Sequence, residues 1–480
     1  IEVTLEIGRK RWLAFVAESS ATDTRQELRL ADISKSVPEV TAVSKGLKSF
    51  TDIPTTKFAP NGRRLAYLAD KFVDAEHGLY WVDLATDAPK GDQLLSSTGK
   101  VTAFAWSPDS RYLAYFDDTE DKIFVLDFEG DLSTPIDVGG STGNPSWIDD
   151  TGVFSTTSGI GYSKIDDGES STPREIVTTH RTVQNISPDG KLVALKASSG
   201  MTYCSEVSSV WDRETDEITA QPAVATRYSP NFEFVVTSAS STFELLPVAD
   251  FTADPIASLA NAGNCEALWS PNSKWFATEN TDDKLVALSS AGEANQVLAP
   301  TGASILAWDW GGGPSTGNRY AGFSSDGRWF RYRATSTVYL VSVSDDGFSN
   351  PEAVSAGPVG VTSWFSPNSE ILVLWETITG GGTALRFFDV SGTEATDDRV
   401  LDSATGTRSI GSGGNSTDPS PNLSFDSSAF IYQVQEDTNE ASDLYVIDLL
   451  DEDAEGRKLT SLACPPSNAC RALKTAVFQP

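Results

Sequence analysis

Trp106-Ser107-Pro108-Asp109-Ser110-Arg111-Tyr112-Leu113-Ala114-Tyr115 joins an aromatic residue, a Ser-Pro-Asp turn and an apolar run. Proline presets φ for a tight turn, and an Asp or Asn after it bonds its own backbone two residues on. The same order returns at Ile186-Ser187-Pro188-Asp189, Tyr228-Ser229-Pro230-Asn231, Trp269-Ser270-Pro271-Asn272, Phe365-Ser366-Pro367-Asn368 and Phe58-Ala59-Pro60-Asn61. Weaker copies place Asp149, Ser325 and Phe425 where the proline stands, in Trp147-Ile148-Asp149-Asp150, Phe323-Ser324-Ser325-Asp326-Gly327 and Leu423-Ser424-Phe425-Asp426. A period of roughly 40 to 55 residues built from strands and turns marks a β-propeller.

Each repeat reads as an inner strand ending at the aromatic residue, a turn and a second apolar strand. A third strand such as Lys122-Ile123-Phe124-Val125-Leu126-Asp127 follows, then a more polar fourth. The end of the chain, Thr475-Ala476-Val477-Phe478-Gln479-Pro480, resembles an inner strand and the start of its turn. Gly8-Arg9-Lys10-Arg11-Trp12-Leu13-Ala14-Phe15 supplies the missing second half. Joining the two makes one blade and closes the ring without a free edge. Ile1 to Ile7 also alternates like a strand and competes for the inner place. The expected fold is all-β: a single β-propeller domain over residues 1–480, of four-stranded blades, its first blade completed by residues 473–480. About ten blades are expected on this period, with eight or nine as alternatives because the Asp149 copy is weak and the spacings around Ser325 and Phe425 are wide.

The turn-plus-strand repeat resembles the TolB-type propeller repeat, a WD40-like class found in bacterial periplasmic proteins and in the propellers of prolyl-oligopeptidase-type peptidases. The resemblance covers nearly the whole chain and implies fold, with little about chemistry. TolB itself has six blades and a separate α/β domain. This sequence has more repeats and no such domain, so TolB's own role does not carry over.

The chain has 480 residues, a net charge of −31 and a pI near 4.3. Nucleic-acid binding needs a cationic surface, so that class is excluded, and an anionic membrane surface is disfavoured on the same ground. No apolar run approaches the roughly 20 residues of a membrane span. Such acidity suits solubility in an extracellular, cell-surface or periplasmic setting. Four cysteines, Cys204, Cys265, Cys464 and Cys470, fit two disulfides in an exported protein. Ile1, rather than Met, opens the sequence, as expected of a processed end.

In an up-and-down blade, connections alternate between two rims, and the Pro-Asp turns share one with the third-to-fourth connections. The longer segments, Glu18 to Gln26, Lys71 to His77, Thr377 to Gly382, Ala307 to Asn318 and Thr405 to Asn422, are expected on the opposite rim, which reads as the working face. There, Trp308-Asp309-Trp310 precedes three glycines, with Arg319 and Tyr320 after them. The tryptophans either form a stacking platform for a sugar or peptide or pack beneath the loop. Cys204 and Cys265 fall on that rim, so a bridge between them is feasible, and Cys464 pairing with Cys470 would close a small loop before the final strand.

Enzyme signatures are sparse. The only histidines are His77 and His180, and no Gly-x-Ser-x-Gly elbow occurs. Zinc is disfavoured, since no CxxC pair accompanies the cysteines. Ser324-Ser325-Asp326-Gly327-Arg328-Trp329 faintly resembles a sialidase Asp-box. Asp451, Asp453 and Glu455 resemble the start of a calcium loop, but position twelve is Leu462. Asn415-Ser416-Thr417 is a glycosylation sequon. No metal or other cofactor is expected. The expected function is a non-enzymatic, exported binding or scaffold propeller recognising a protein or glycan through its long-loop face. The alternatives are a glycan-active hydrolase or lyase with paired carboxylates, which the 67 acids could supply, and a structural subunit of a larger cell-surface assembly.

Overall fold

A computed structural model describes the chain between residues 11 and 478, apart from 48–55, 71–76, 197–207, 261–266, 299–321, 356–361, 412–423, 436–442, 460–475 and shorter stretches between strands. The described residues form ten antiparallel sheets and no helix. Blade 3 shows the plan, with Val101–Trp106 innermost, then Tyr112–Asp117, Lys122–Asp127 and Ile136–Gly139. Tyr112–Asp117 is buried at every position. A second strand is covered by neighbouring sheets on both faces, so it carries no polar alternation. In blades 4 and 8 the outer strand is broken in two. Glu169–Ser170 and Arg174–Val177 both pair with Ile160–Asp166, and Gly347–Phe348 and Glu352–Ala353 both pair with Thr337–Ser344.

Ten apolar clusters lie between the sheets, one per junction, and the last joins blade 10 back to blade 1. Trp12–Ser20 shows how. Trp12, Ala14 and Val16 pack on Leu65 and Tyr67 of blade 2, whereas Leu13 and Phe15 pack on Ala429 and Ile431 of blade 10. Ala476–Phe478 supplies the inner strand of blade 1, with Leu13 opposite Phe478 and Phe15 opposite Ala476. Polar contacts cross the same junction: the Arg11 guanidinium lies 3.3 Å from the Asp426 carboxylate and also bonds Ser428, and Arg457 donates to the Lys35 carbonyl at 2.7 Å. The ring therefore has ten blades, and the weak repeat at Asp149 is a full one. Without proline or serine, Asp149 holds that turn alone, accepting from the Thr151 and Gly152 N–H groups at 2.9 and 2.7 Å. Residues 1–10, including the competing strand at Ile1 to Ile7, lie outside the described residues.

The turn motif is spent on holding the fold. In seven blades its serine is buried. The hydroxyl donates to the Asp or Asn two residues on, at 2.5–2.7 Å, and accepts the N–H that opens the second strand, at 2.8–3.0 Å. The residue after the Asp or Asn is left-handed, with φ of 60–74°, and is Gly62, Gly190 or Gly327 in three blades. Four others place serine there, and each hydroxyl accepts the turn N–H of the preceding blade: Asn61 to Ser110, Asn231 to Ser273, Asp326 to Ser369 and Asn368 to Ser427, at 2.9–3.0 Å. A non-glycine residue in this conformation costs about 1–2 kcal/mol. The bond between blades, worth about 0.5–1.5 kcal/mol, largely offsets that strain.

Two expected loops are hairpin ends, strand on both sides of residues 21–22 and 379–381, which lie outside the described residues. Glu18 to Gln26 is the top of a hairpin in which Trp12–Ser20 and Asp23–Asp32 pair as far as Ser20 and Asp23. Ile371–Ile378 and Gly382–Asp389 likewise pair to Ile378 and Gly382. Cross-strand pairing carries both hairpins beyond the apolar part of their strands. Within Thr405 to Asn422, Ser409–Gly411 is already the inner strand of blade 10, pairing with Gln433 to Gln435, so that stretch is not one continuous link.

Candidate axial site

Inner strands approach one another from blade to blade. The Trp106 indole donates to the Lys57 carbonyl at 3.1 Å, and the Trp147 indole to the Ala105 carbonyl at 2.9 Å. Each inner strand ends at its turn, so the residue three before the proline, or its stand-in, occupies one level around the axis. Lys57, Ser146, Asn185 and Arg227 hold that level in blades 2, 4, 5 and 6. The chain has 67 acids, yet among the described residues the ten inner strands contain no Asp or Glu. Among the described residues of these strands, the charged ones are Lys57 and Arg227, at equivalent positions in Lys57-Phe58-Ala59-Pro60 and Arg227-Tyr228-Ser229-Pro230.

Lys57 is exposed between two buried neighbours, Thr56 and Phe58. Desolvation by surrounding protein nevertheless pushes its ammonium below the ordinary value. Its Nζ donates to the Phe104 carbonyl at 3.2 Å and lies 5.5 Å from the Phe104 ring. Asn185 donates to the Ser229 carbonyl at 3.4 Å, and Arg227 is half-buried. Among the described residues, the inner strands carry these donors and no carboxylate.

The two rims differ in chemistry. On the turn rim, basic residues that leave the first turn meet acids of the third-to-fourth turn. Arg111 grips Asp127 through two bonds of 3.1 and 2.8 Å, and Lys191 lies 2.7 Å from Glu214. That clamp is the main cause holding the Asp127 carboxyl below its usual range, and it raises Arg111. The aspartate ending the third strand, Asp32, Asp83, Asp127, Asp212, Asp389 or Asp448, accepts the N–H two residues on at 2.8–3.1 Å. Ser324 to Trp329, read against an Asp-box, is one of the serine turns: Ser324 donates to Asp326 at 2.7 Å and accepts from the Trp329 N–H at 3.0 Å.

Trp308, Asp309, Trp310, Arg319 and Tyr320 lie outside the described residues, as do Cys204, Cys265, Cys464, Cys470, His180 and the sequon at Asn415. Of the calcium candidates, Asp451 and Glu455 are exposed and Asp453 is outside the described residues. Gly456, next to Glu455, has a packing role: a Cβ there would meet the Tyr432 hydroxyl at 1.8 Å. Among the described residues no three His, Cys, Asp or Glu side chains group as a metal site. His77 Nε2 lies 3.2 Å from the buried Asp70 carboxylate on the rim opposite the turns. The axial pair Lys57 and Arg227 was missed in the sequence. Aligning the repeats on the proline and reading the column three places before it would have found it.

No family model matches the chain, and no curated protein matches its sequence. Among solved structures it is similar to one described as the crystal structure of the eukaryotic initiation factor, at 13% identity and a TM-score of 0.46 over 98% of this chain and 99% of that one. It is also similar to the dihydro-heme d1 dehydrogenase NirN in complex with DHE, at 11% identity and a TM-score of 0.41 over 82% of this chain and 73% of that one. A Myceliophteria thermophila β-propeller domain aligns at 12% identity and a TM-score of 0.31 over 60% of this chain and 88% of that domain. At these scores the likenesses stop short of any shared function.

Proposed function

We propose that this chain is a non-enzymatic binding or scaffold propeller of the TolB-like type, exported, which engages a protein or glycan partner through the rim opposite the serine turns. The supporting observation is the contrast between the rims. The turn rim's serine and Asp/Asn groups bond one another and the strands, whereas the opposite rim carries the lengthened hairpins of blades 1 and 9. Strands eight to ten residues long, against six in blade 3, carry these hairpins roughly 7–13 Å further at about 3.3 Å per residue. Raised hairpins on a rigid ring present side chains and edge backbone to a partner. The test replaces residues 18–26 and 377–382 with two-residue Asn-Gly turns and cross-links both forms in a cell-envelope fraction of the source. Partners lost with the hairpins support the reading. An unchanged cross-linked set, or turnover of any polysaccharide in a substrate panel, overturns it.

A further inference from the structure

We propose that Asn61, in the turn of blade 2, is a self-modification site, where the chain converts its own asparagine to an aspartate or its β-linked isomer with loss of ammonia. The site lies on the serine-turn rim, away from the rim that the proposed function uses. Four of the turns carry asparagine, and in three of them the side chain is fastened. The Oδ1 of Asn231, Asn272 and Asn368 accepts the hydroxyl of Ser229, Ser270 and Ser366, each at 2.7 Å. The amide of Asn231 also donates to Glu233, and that of Asn368 to Glu370, both at 2.7 Å. The residues that follow, Phe232, Ser273 and Ser369, carry a Cβ beside the side chain. Blade 2 differs at all three places. Ala59 stands where the serine hydroxyl would be, Arg63 where Glu233 and Glu370 stand, and Gly62 follows, making the chain's one Asn-Gly pair. Asn61 itself is exposed.

The Asn61 Oδ1 accepts the Arg63 N–H at 2.9 Å, a bond that keeps the side-chain carbonyl beside the Gly62 peptide. After losing its proton to solvent base, the Gly62 nitrogen attacks the Asn61 side-chain carbonyl carbon. The new N–C bond closes a five-membered imide, the bond from that carbon to the amide nitrogen breaks, and ammonia leaves with a proton from water. Water then reopens the imide. Addition at the side-chain carbon gives aspartate, and addition at the backbone carbon gives the β-linked isomer. Glycine suits the closure because it has no Cβ to crowd the attacking nitrogen. Blade 8 shows the product in place, with Asp326-Gly327-Arg328 against Asn61-Gly62-Arg63. Gly62 and Gly327 have φ of 70 and 74° and donate to the Ala59 and Ser324 carbonyls at 2.8 and 2.9 Å. The Asn61 and Asp326 N–H groups reach the Ser110 and Ser369 hydroxyls at 2.9 and 3.0 Å. Asp326 binds the Arg328 guanidinium as well as its N–H, so an aspartate at position 61 finds Arg63 in the place of Arg328.

The competing account is protection by the turn: Gly62 is buried and its N–H is held by the Ala59 carbonyl, so the nitrogen must first be released. Incubation of the full chain at neutral and alkaline pH, followed by peptide mapping with mass spectrometry, separates the two. The mass gain of an amide replaced by an acid is expected first in the peptide carrying Asn61. It should appear in both the aspartate and the β-linked form, and faster at alkaline pH. Peptides carrying Asn231, Asn272 and Asn368 should remain unchanged meanwhile. Ala59→Ser supplies the missing hydroxyl and should slow the gain by up to about tenfold, the worth of one added hydrogen bond. Gly62→Ser, the residue that blades 7 and 9 place there, should slow it as well. An unmodified Asn61 peptide in the folded chain, equal gain at the other three asparagines, or the parent rate in both variants overturns the proposal. Should Gly62→Ser fold poorly, Ala59→Ser alone decides, because it adds a hydroxyl that blades 6, 7 and 9 already hold. Both hairpins of the opposite rim remain in all these variants, so this failure and that of the partner-binding reading are distinguishable.

Discussion

The junctions between blades 2 and 3 and between blades 6 and 7 begin from the same sequence pattern and end differently. Each has a cation three places before the turn proline, tryptophan closing the next inner strand, and serine at the next left-handed position. In both, that serine accepts the preceding turn N–H, Asn61 to Ser110 at 2.9 Å and Asn231 to Ser273 at 3.0 Å. The tryptophans part company. Trp106 lies 5.0 Å from the Phe128 ring and reaches the Lys57 carbonyl. Trp269 is flanked by Phe234 at 6.4 Å and Phe276 at 5.4 Å, and its buried indole N–H meets no acceptor among the described residues. Where blade 6 has Phe234, blade 2 has Arg64, which donates to the Ser110 carbonyl at 3.0 Å and leaves the indole's faces to other neighbours. At these two junctions one tryptophan ties adjacent blades through its indole and the other packs between aromatic rings.

Four measurements sharpen or break that comparison. The largest effect is common to both junctions: Leu113→Ala and Phe276→Ala, at 0% and 1% exposure, should each cost about 2–5 kcal/mol in denaturant unfolding. A cost confined to one junction would mean the two apolar clusters are not equivalent supports. Next, Ser110→Ala and Ser273→Ala keep the left-handed strain but strand a turn N–H, so each should lose about 1–2 kcal/mol. Glycine at either place relieves the strain as the bond is lost and should come within about 1 kcal/mol of the parent.

The tryptophans supply the discriminating pair. Trp106→Phe should destabilise by about 1 kcal/mol, because it removes a made bond. Trp269→Phe should be neutral or stabilising, because it removes a buried donor without a described acceptor. Equal losses for the two would show that Trp269 has an acceptor after all.

The smallest effect is acid sensitivity, which belongs to blade 3. Blade 3 ends its third strand with Asp127, clamped by Arg111, where blade 7 ends with Ser289. The folded-state value of Asp127 is depressed below its ordinary 3.8, chiefly by the Arg111 bond. Its contribution is therefore fully present above that ordinary value and is lost as pH falls through the lower folded value. Asp127→Asn should flatten that acid limb of the stability curve and leave its shape unchanged from pH 5 to 7, read by thermal melts across pH.

Most of the fold was legible because the turn chemistry is local. Proline, Asp or Asn and the buried serine act within six residues, so their spacing alone locates each first-to-second turn and, by counting, the ring. Asp149 looked weak only because one carboxylate does there what proline and serine share elsewhere. The hairpin tops at Glu18 to Gln26 and Thr377 to Gly382 were misread as loops, because polar residues that extend a strand beyond its neighbours look like the polar residues of a loop. The axial site was hidden for a different reason. Lys57 and Arg227 lie four blades apart, and each is an ordinary cation until the ring sets them on one level.

The sequence by itself determined the repeat, the turn type and the segments that complete one another at the two ends, since these depend on contacts a few residues apart and on an apolar period. Only the tertiary structure decided which serine hydroxyls bridge blades and which indole finds a carbonyl. Such contacts join residues that lie 40 or more places apart in the chain, as Asn61 and Ser110 do, and depend on how neighbouring sheets are offset. That offset is set by packing across each apolar seam, and no short stretch of the chain encodes it.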